Sequence, residues 1–251
     1  MNPLQRALIS KTGYDFGFEH VVAETESELT LASALHPAVI EVSMDGTSYT
    51  TRVVKGSALL LTELTRHFPV EQRRWSCASI DQLAQLLRRA AELAQALPNQ
   101  VQHDFDASLA AELEKLPEAI KGTEVERLVR QRVGQQAFRS AMLDYWGGAC
   151  AVTGIAIPEV LRASHAKPWA DCASDVERLD VFNGFLLSAN LDALFDRFLI
   201  SFSEAGELLV SYSISPAERE RLGLRHPLWL CWLAPEHEPY LHYHRHRFIS
   251  G

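Results

Sequence analysis

Between Cys150 and Phe202 the chain concentrates residues whose types and spacing could do chemistry. His165 sits in a polar step ahead of Lys167-Pro168-Trp169, Asn183-Gly184 reads as a turn, and Asp192 and Asp196 stand four apart. A short helix is predicted over Leu191 to Phe198, and there the i,i+4 spacing puts both carboxylates on one face. Two carboxylates side by side repel each other unless a cation lies between them. A hard, oxygen-preferring divalent ion such as Mg²⁺ or Mn²⁺ is the natural guest. The same spacing also suits helix-surface acids, or caps for backbone and arginine groups.

The segment resembles the HNH endonucleases, the ββα-metal nucleases, in the branch with an S-H-x-K-P-W first motif and an L-D-A-L-F-D-R last motif. Asn183 lies eighteen residues after His165, Asp192 nine further on and Asp196 four beyond that, with Cys150-x-x-Thr153-Gly154 ahead of them. This is the family's H…N…H-x-x-x-H register. The resemblance implies metal-dependent hydrolysis of phosphodiester bonds in double-stranded DNA. His165 would take a proton from the attacking water, and Asn183 would hold the His165 loop. Asp192 and Asp196, with Ser164, would be the metal positions, for Mg²⁺ or Mn²⁺ first and Ni²⁺ or Zn²⁺ after them. Lys167, Arg139 and Arg197 would contact phosphate. Family habit adds a setting in bacterial restriction or defence, and a homodimer, since one HNH site usually cuts one strand. Two positions depart from the pattern. Asp192 stands where histidine is usual, and Ser164 where an acidic ligand or a second histidine is common. They favour a second reading, a degenerate HNH module that binds nucleic acid or a protein partner without cutting. The four cysteines, Cys77, Cys150, Cys172 and Cys231, form no CxxC pair, so the zinc supports of many relatives are absent and Cys150 reads as core.

The elements that must position these residues begin upstream. Thr123-Glu124-Val125-Glu126 is a capping-box start with Thr123 as N-cap, and the helix should run to Trp146 and end at Gly147-Gly148. Its acid-free stretch carries Arg127, Arg130, Arg132 and Arg139. At about 100° per residue, Arg132 and Arg139 fall roughly 20° apart and form the better phosphate-facing pair, leaving Arg127 and Arg130 to Glu124 or Glu126. Residues 101–122 read as a charged helical connector broken at Pro117.

Further upstream, Ala38 to Val54 is a hairpin signal around Asp45-Gly46. Ser57 should cap a helix to His67, and a second helix should run from Ser79 or Asp81 to Leu97, stopped by Pro98. Downstream, Leu228 to Leu233 reads as a buried strand. The alternating His242, His244 and His246 suggest one polar face of a strand or an exposed end, with a metal tract and a DNA-touching basic aromatic tail as alternatives. The expected fold class is α+β: an N-terminal mixed α/β module over 1–100, offered as a DNA-targeting module, the connector, and a ββα-metal (HNH) nuclease domain over 123–251 with a strand-rich tail.

Hydrophobic residues make up 47% and charged residues 22% of the 251 residues, an ordinary globular composition that excludes disordered and low-complexity classes. No apolar run approaches the roughly 18–20 residues of a membrane span, and the polar N-terminus lacks the apolar core of a signal peptide. A cytoplasmic protein is the expectation. A net charge of −8 argues against coating nucleic acid by bulk electrostatics, so any DNA contact must be local.

Overall fold

Alternating apolar residues and well-placed caps build the first of two units, which in this computed structural model are Met1–Gln100 and Val101–Gly251. The structure describes residues 1–117, 122–224 and 227–248. Helix α1 (Pro3–Asp15) is capped by Asn2, whose side chain accepts from the Gln5 amide. Strands β1 (His20–Glu24), β2 (Glu28–Ala32), β3 (Val39–Asp45) and β4 (Ser48–Lys55) follow, then α2 (Ala58–His67), β5 (Trp75–Cys77) and α3 (Ile80–Ala96). The strands form one antiparallel sheet in sequence order. Period-two alternation sends Leu29, Leu31, Ile40 and Val42 into the core. The expected hairpin is β3–β4, with Gly46 at φ +62° in its turn. Ser57 and Ser79 cap α2 and α3 through the amides of Leu60 and Gln82.

The second unit starts with a correction. The stretch read as a charged connector contributes α4 (Gln100–Glu114), whose Val101, Phe105 and Leu109 recur every four residues and are buried. Residues 118–121 of that stretch lie outside the described residues. Helix α5 (Thr123–Tyr145) begins one residue earlier than its expected cap implies. Gly122 is the N-cap, it makes no side-chain cap bond, and Thr123 is the first helical residue. The Gly147-Gly148 stop is present, both glycines having positive φ, and the Gly148 amide donates to the Leu143 carbonyl at 2.7 Å.

Strand β6 (Leu161–His165), helix α6 (Asp175–Leu179), strand β7 (Gly184–Ser188) and helix α7 (Ala189–Phe195) come next, and β6 pairs antiparallel with β7. The hairpin β8 (Ile200–Phe202) and β9 (Leu208–Val210) precedes α8 (Pro216–Arg221) and α9 (Glu238–Arg247). The fold is α+β. The strand-rich tail is corrected too. Within Leu228–Leu233 the described pairing is a single bridge from Trp229 to Glu207, and the histidine-rich end is helix α9. The alternation that reads as a strand hides a second spacing: His237, Leu241 and His244 are four and three apart, share a helix face and are buried.

Candidate active site

The ββα unit of β6, β7 and α7 brings the motif residues together. His165 ends β6 and pairs with Gly184 at the start of β7. A Cβ at Gly184 would lie 2.4 Å from the Ser164 carbonyl oxygen and 2.8 Å from the Phe138 ring, so the strands can approach this closely only with glycine there. The His165 ring stacks on Phe138 at 3.7 Å and meets the Trp169 ring edge-on at 5.8 Å. Its Nε2 lies 2.8 Å from the Arg178 carbonyl oxygen. A carbonyl only accepts, so Nε2 carries the proton and the Nδ1 lone pair remains for another proton. Burial pushes the imidazole down to about 4, against the accepting carbonyl of Arg178, so it is neutral at pH 7.

Asn183 is fully buried. Its Oδ1 accepts from the Lys167 amide at 2.7 Å, and its Nδ2 donates to the Glu177 carbonyl at 2.9 Å and the Lys167 carbonyl at 3.2 Å. It is therefore a positioning residue for the loop that follows His165. Arg178 laces the same loop through the carbonyls of Trp169 and Cys172.

Ser164, buried beside His165, donates its hydroxyl to Asp192 Oδ1 at 2.5 Å. Its proton thus orients a carboxylate. Asp192 and Asp196 lie one turn apart, the Asp196 amide donating to the Asp192 carbonyl at 2.9 Å. Loss of water around the carboxyl, then the Asp192 charge, pushes Asp196 up to about 6. His165, Trp169, Asp196, Phe198 and His244 line one cleft of about 300 Å³.

Among the described residues no group of three or more His, Cys, Asp or Glu is gathered to hold a metal. The two carboxylates nonetheless fit one kind of ion. Their mutual repulsion is what a cation relieves, and an oxygen donor set of two suits a Mg²⁺-like ion that keeps waters and takes phosphate oxygens. It does not suit a self-sufficient zinc cage.

The cations expected to meet phosphate are mostly engaged. Arg132 is ion-paired with Glu112, and Arg139 donates to the carbonyls of Leu161 and Pro158 at 2.9 and 3.1 Å, bolting α5 to the start of β6. Arg127 pairs with Glu124, as the helix angles suggested, whereas Arg130 reaches Asp175. Lys167 bonds Glu177 at 2.8 Å. Arg197 is exposed and has no hydrogen bond or ion pair among the described residues.

Sequence reasoning missed His244. Its Nε2 donates to the Phe195 carbonyl at 3.0 Å, its Nδ1 accepts from Ser201 at 2.9 Å, and its ring stacks on Phe195 at 3.8 Å. The signal was the spacing from His237 to His244. Cys150 is core, its sulfur accepting from the Ser188 amide at 3.3 Å.

The strand-ending His165, β7 and helix α7, with Asp192 on the helix and Asp196 at its C-cap, make up a ββα unit. The HNH endonuclease family model matches residues 150–203, which supports that family for the segment holding the site. No curated protein matches the chain. Among the described residues no helix is long and apolar enough to cross a membrane.

Proposed function

We propose that the second unit is a divalent-metal-dependent endonuclease that hydrolyses phosphodiester bonds in double-stranded DNA, and that the chain serves bacterial restriction or defence. The observation that carries the catalytic reading is His165: a neutral imidazole, proton fixed on Nε2, facing the same cleft as Asp196. In this reading Nδ1 takes the proton of the attacking water. The phosphate entering the cleft is an anion that favours the protonated ring, raising the basicity that burial has lowered. Asn183 and Arg178 keep the ring in place, and Ser164 fixes the rotamer of Asp192. A divalent ion held by Asp192 and Asp196 would supply positive charge to the scissile phosphate and the leaving oxygen.

A supercoiled plasmid incubated with Mg²⁺, Mn²⁺, Ni²⁺ or Zn²⁺ in turn tests this. Cleavage should appear with Mg²⁺ or Mn²⁺, and His165→Ala should lower its rate on the order of 10²–10⁴-fold. Activity within about threefold of wild type in that variant would remove the mechanism. The engagement of Lys167, Arg132 and Arg139 by protein partners favours a second reading, an HNH-fold module that binds without cutting. It predicts DNA binding with no metal-dependent nicking.

A further inference from the structure

Helix α9 places a second group of side chains at the mouth of the His165 cleft. Phe198, which lines the cleft, is held at φ +57° by amide bonds from Phe198 to the Phe195 carbonyl and from Leu199 to the Leu194 carbonyl, both 2.9 Å. Non-glycine residues rarely adopt this conformation, and it persists where surrounding structure over-determines it. Its ring faces the Arg247 guanidinium at 4.8 Å, and the Tyr243 ring faces the same guanidinium at 5.8 Å. Arg247 donates to Asp171 at 2.6 Å and to the Tyr243 hydroxyl at 3.2 Å, while that hydroxyl donates to Asp171 at 2.9 Å. The buried bonds of His244 to Phe195 and Ser201 fasten α9 to α7 and β8, so this cluster has a fixed place relative to Asp196.

We propose that Arg247 is a DNA phosphate contact of this site, and that Asp171 is the anion that occupies it until phosphate arrives. The proposal rests on the nuclease reading. A net charge of −8 requires a local cation for a polyanion. Lys167 is tied to Glu177 and less exposed, whereas both members of the Arg247–Asp171 pair are open to solvent, at 47% and 37% side-chain exposure. Exposed pairs are weak and exchange readily. A phosphate offers the guanidinium a bidentate partner that a shared carboxylate oxygen does not. The Phe198 ring stands within cation–π reach of the guanidinium and the Tyr243 hydroxyl accepts from it, so the fork keeps its place while it exchanges Asp171 for phosphate.

The test uses the full chain in a His165→Ala background, with a fluorescent DNA duplex titrated at several salt concentrations. Arg247→Ala should weaken binding by about tenfold and lower the slope of log K against log salt by about one. Arg247→Lys should recover the slope but only part of the affinity, since charge returns without the fork. Asp171→Asn keeps an acceptor for Tyr243 and should tighten binding about threefold or more, provided Arg247 is present. Circular dichroism confirms that each variant folds. Unchanged affinity in Arg247→Ala, or tightening by Asp171→Asn that persists without Arg247, overturns the proposal while DNA binding itself stands. If the His165→Ala chain does not bind the duplex at all, the nuclease reading fails and this inference with it.

Discussion

Asn183 has no accessible surface, and its amide is spent entirely on backbone and a neighbouring sulfur. Removing it strands the Lys167 N–H and takes a partner from the Glu177 carbonyl, both part-buried, at about 1–3 kcal/mol for each unsatisfied group. Through Glu177 Asn183 also holds helix α6, whose Arg178 carbonyl keeps the His165 proton on Nε2. Asn183→Ala should therefore lower stability by about 2–4 kcal/mol and slow cleavage at temperatures where the variant is still folded. Denaturant unfolding and single-turnover nicking read the two effects separately. A variant that loses stability but cuts at the wild-type rate would show that the loop does not hold the imidazole. Ser164 works at the same scale: its hydroxyl meets Asp192, so it orients the carboxylate proposed to hold the metal and is not itself a ligand in that proposal.

At the scale of elements, α5 shows propensity and packing in conflict. Gly134 sits inside the helix, where alanine would be favoured by roughly 0.5–1 kcal/mol. A Cβ there would lie 2.4 Å from the outer edge of the Trp169 ring and 3.4 Å from Phe105, so the glycine is what lets the tryptophan of the His165 loop lie across α5. Gly134→Ala should destabilise by about 1–3 kcal/mol despite the better propensity. Joined to Trp169→Phe, it should cost less than the sum of the two single changes. Additive costs in thermal unfolding would place the Trp169 ring elsewhere. The elements that were legible in the sequence had local signals: Ser57 and Ser79 ahead of leucine-rich periods, and Asp45-Gly46 between β-branched runs. Helix α9 was not, because its histidines satisfy a period of two on one face and of 3.6 on the other, and only packing chooses between them. The arginines of α5 could be sorted by angle and Glu124 foreseen for Arg127, but the acceptors of Arg132, Arg130 and Arg139 could not. Glu112, Asp175 and the Leu161 carbonyl lie 20 to 45 residues away in sequence.

Across the whole molecule the same rule of distance holds. The His165, Asn183, Asp192 and Asp196 register falls within one short segment, so the motif could be read directly. His244, which lines the cleft, and Arg247, which stands over the Phe198 ring, arrive from a helix about fifty residues further on and carry no motif of their own. The first unit ends at residue 100 as the sequence suggested, but the start of the second was obscured by α4, whose charged surface reads as a linker while Phe105 and Leu109 are 1% and 6% exposed. Phe105 lies against the Gly134 position of α5, and Glu112 pairs with Arg132, so α4 belongs to the core that supports the site. Deleting a buried phenylalanine side chain alone costs about 3–5 kcal/mol, a large part of the about 5–15 kcal/mol that holds a typical domain together. A chain beginning at Pro98 should accordingly fold with a cooperative urea transition and nick DNA. A chain beginning at Thr123 retains the entire HNH motif but should unfold at markedly lower urea or fail to fold, and lose nicking with it. Equal urea midpoints for the two fragments would return α4 to the role of a linker and confine the catalytic core to residues after 122.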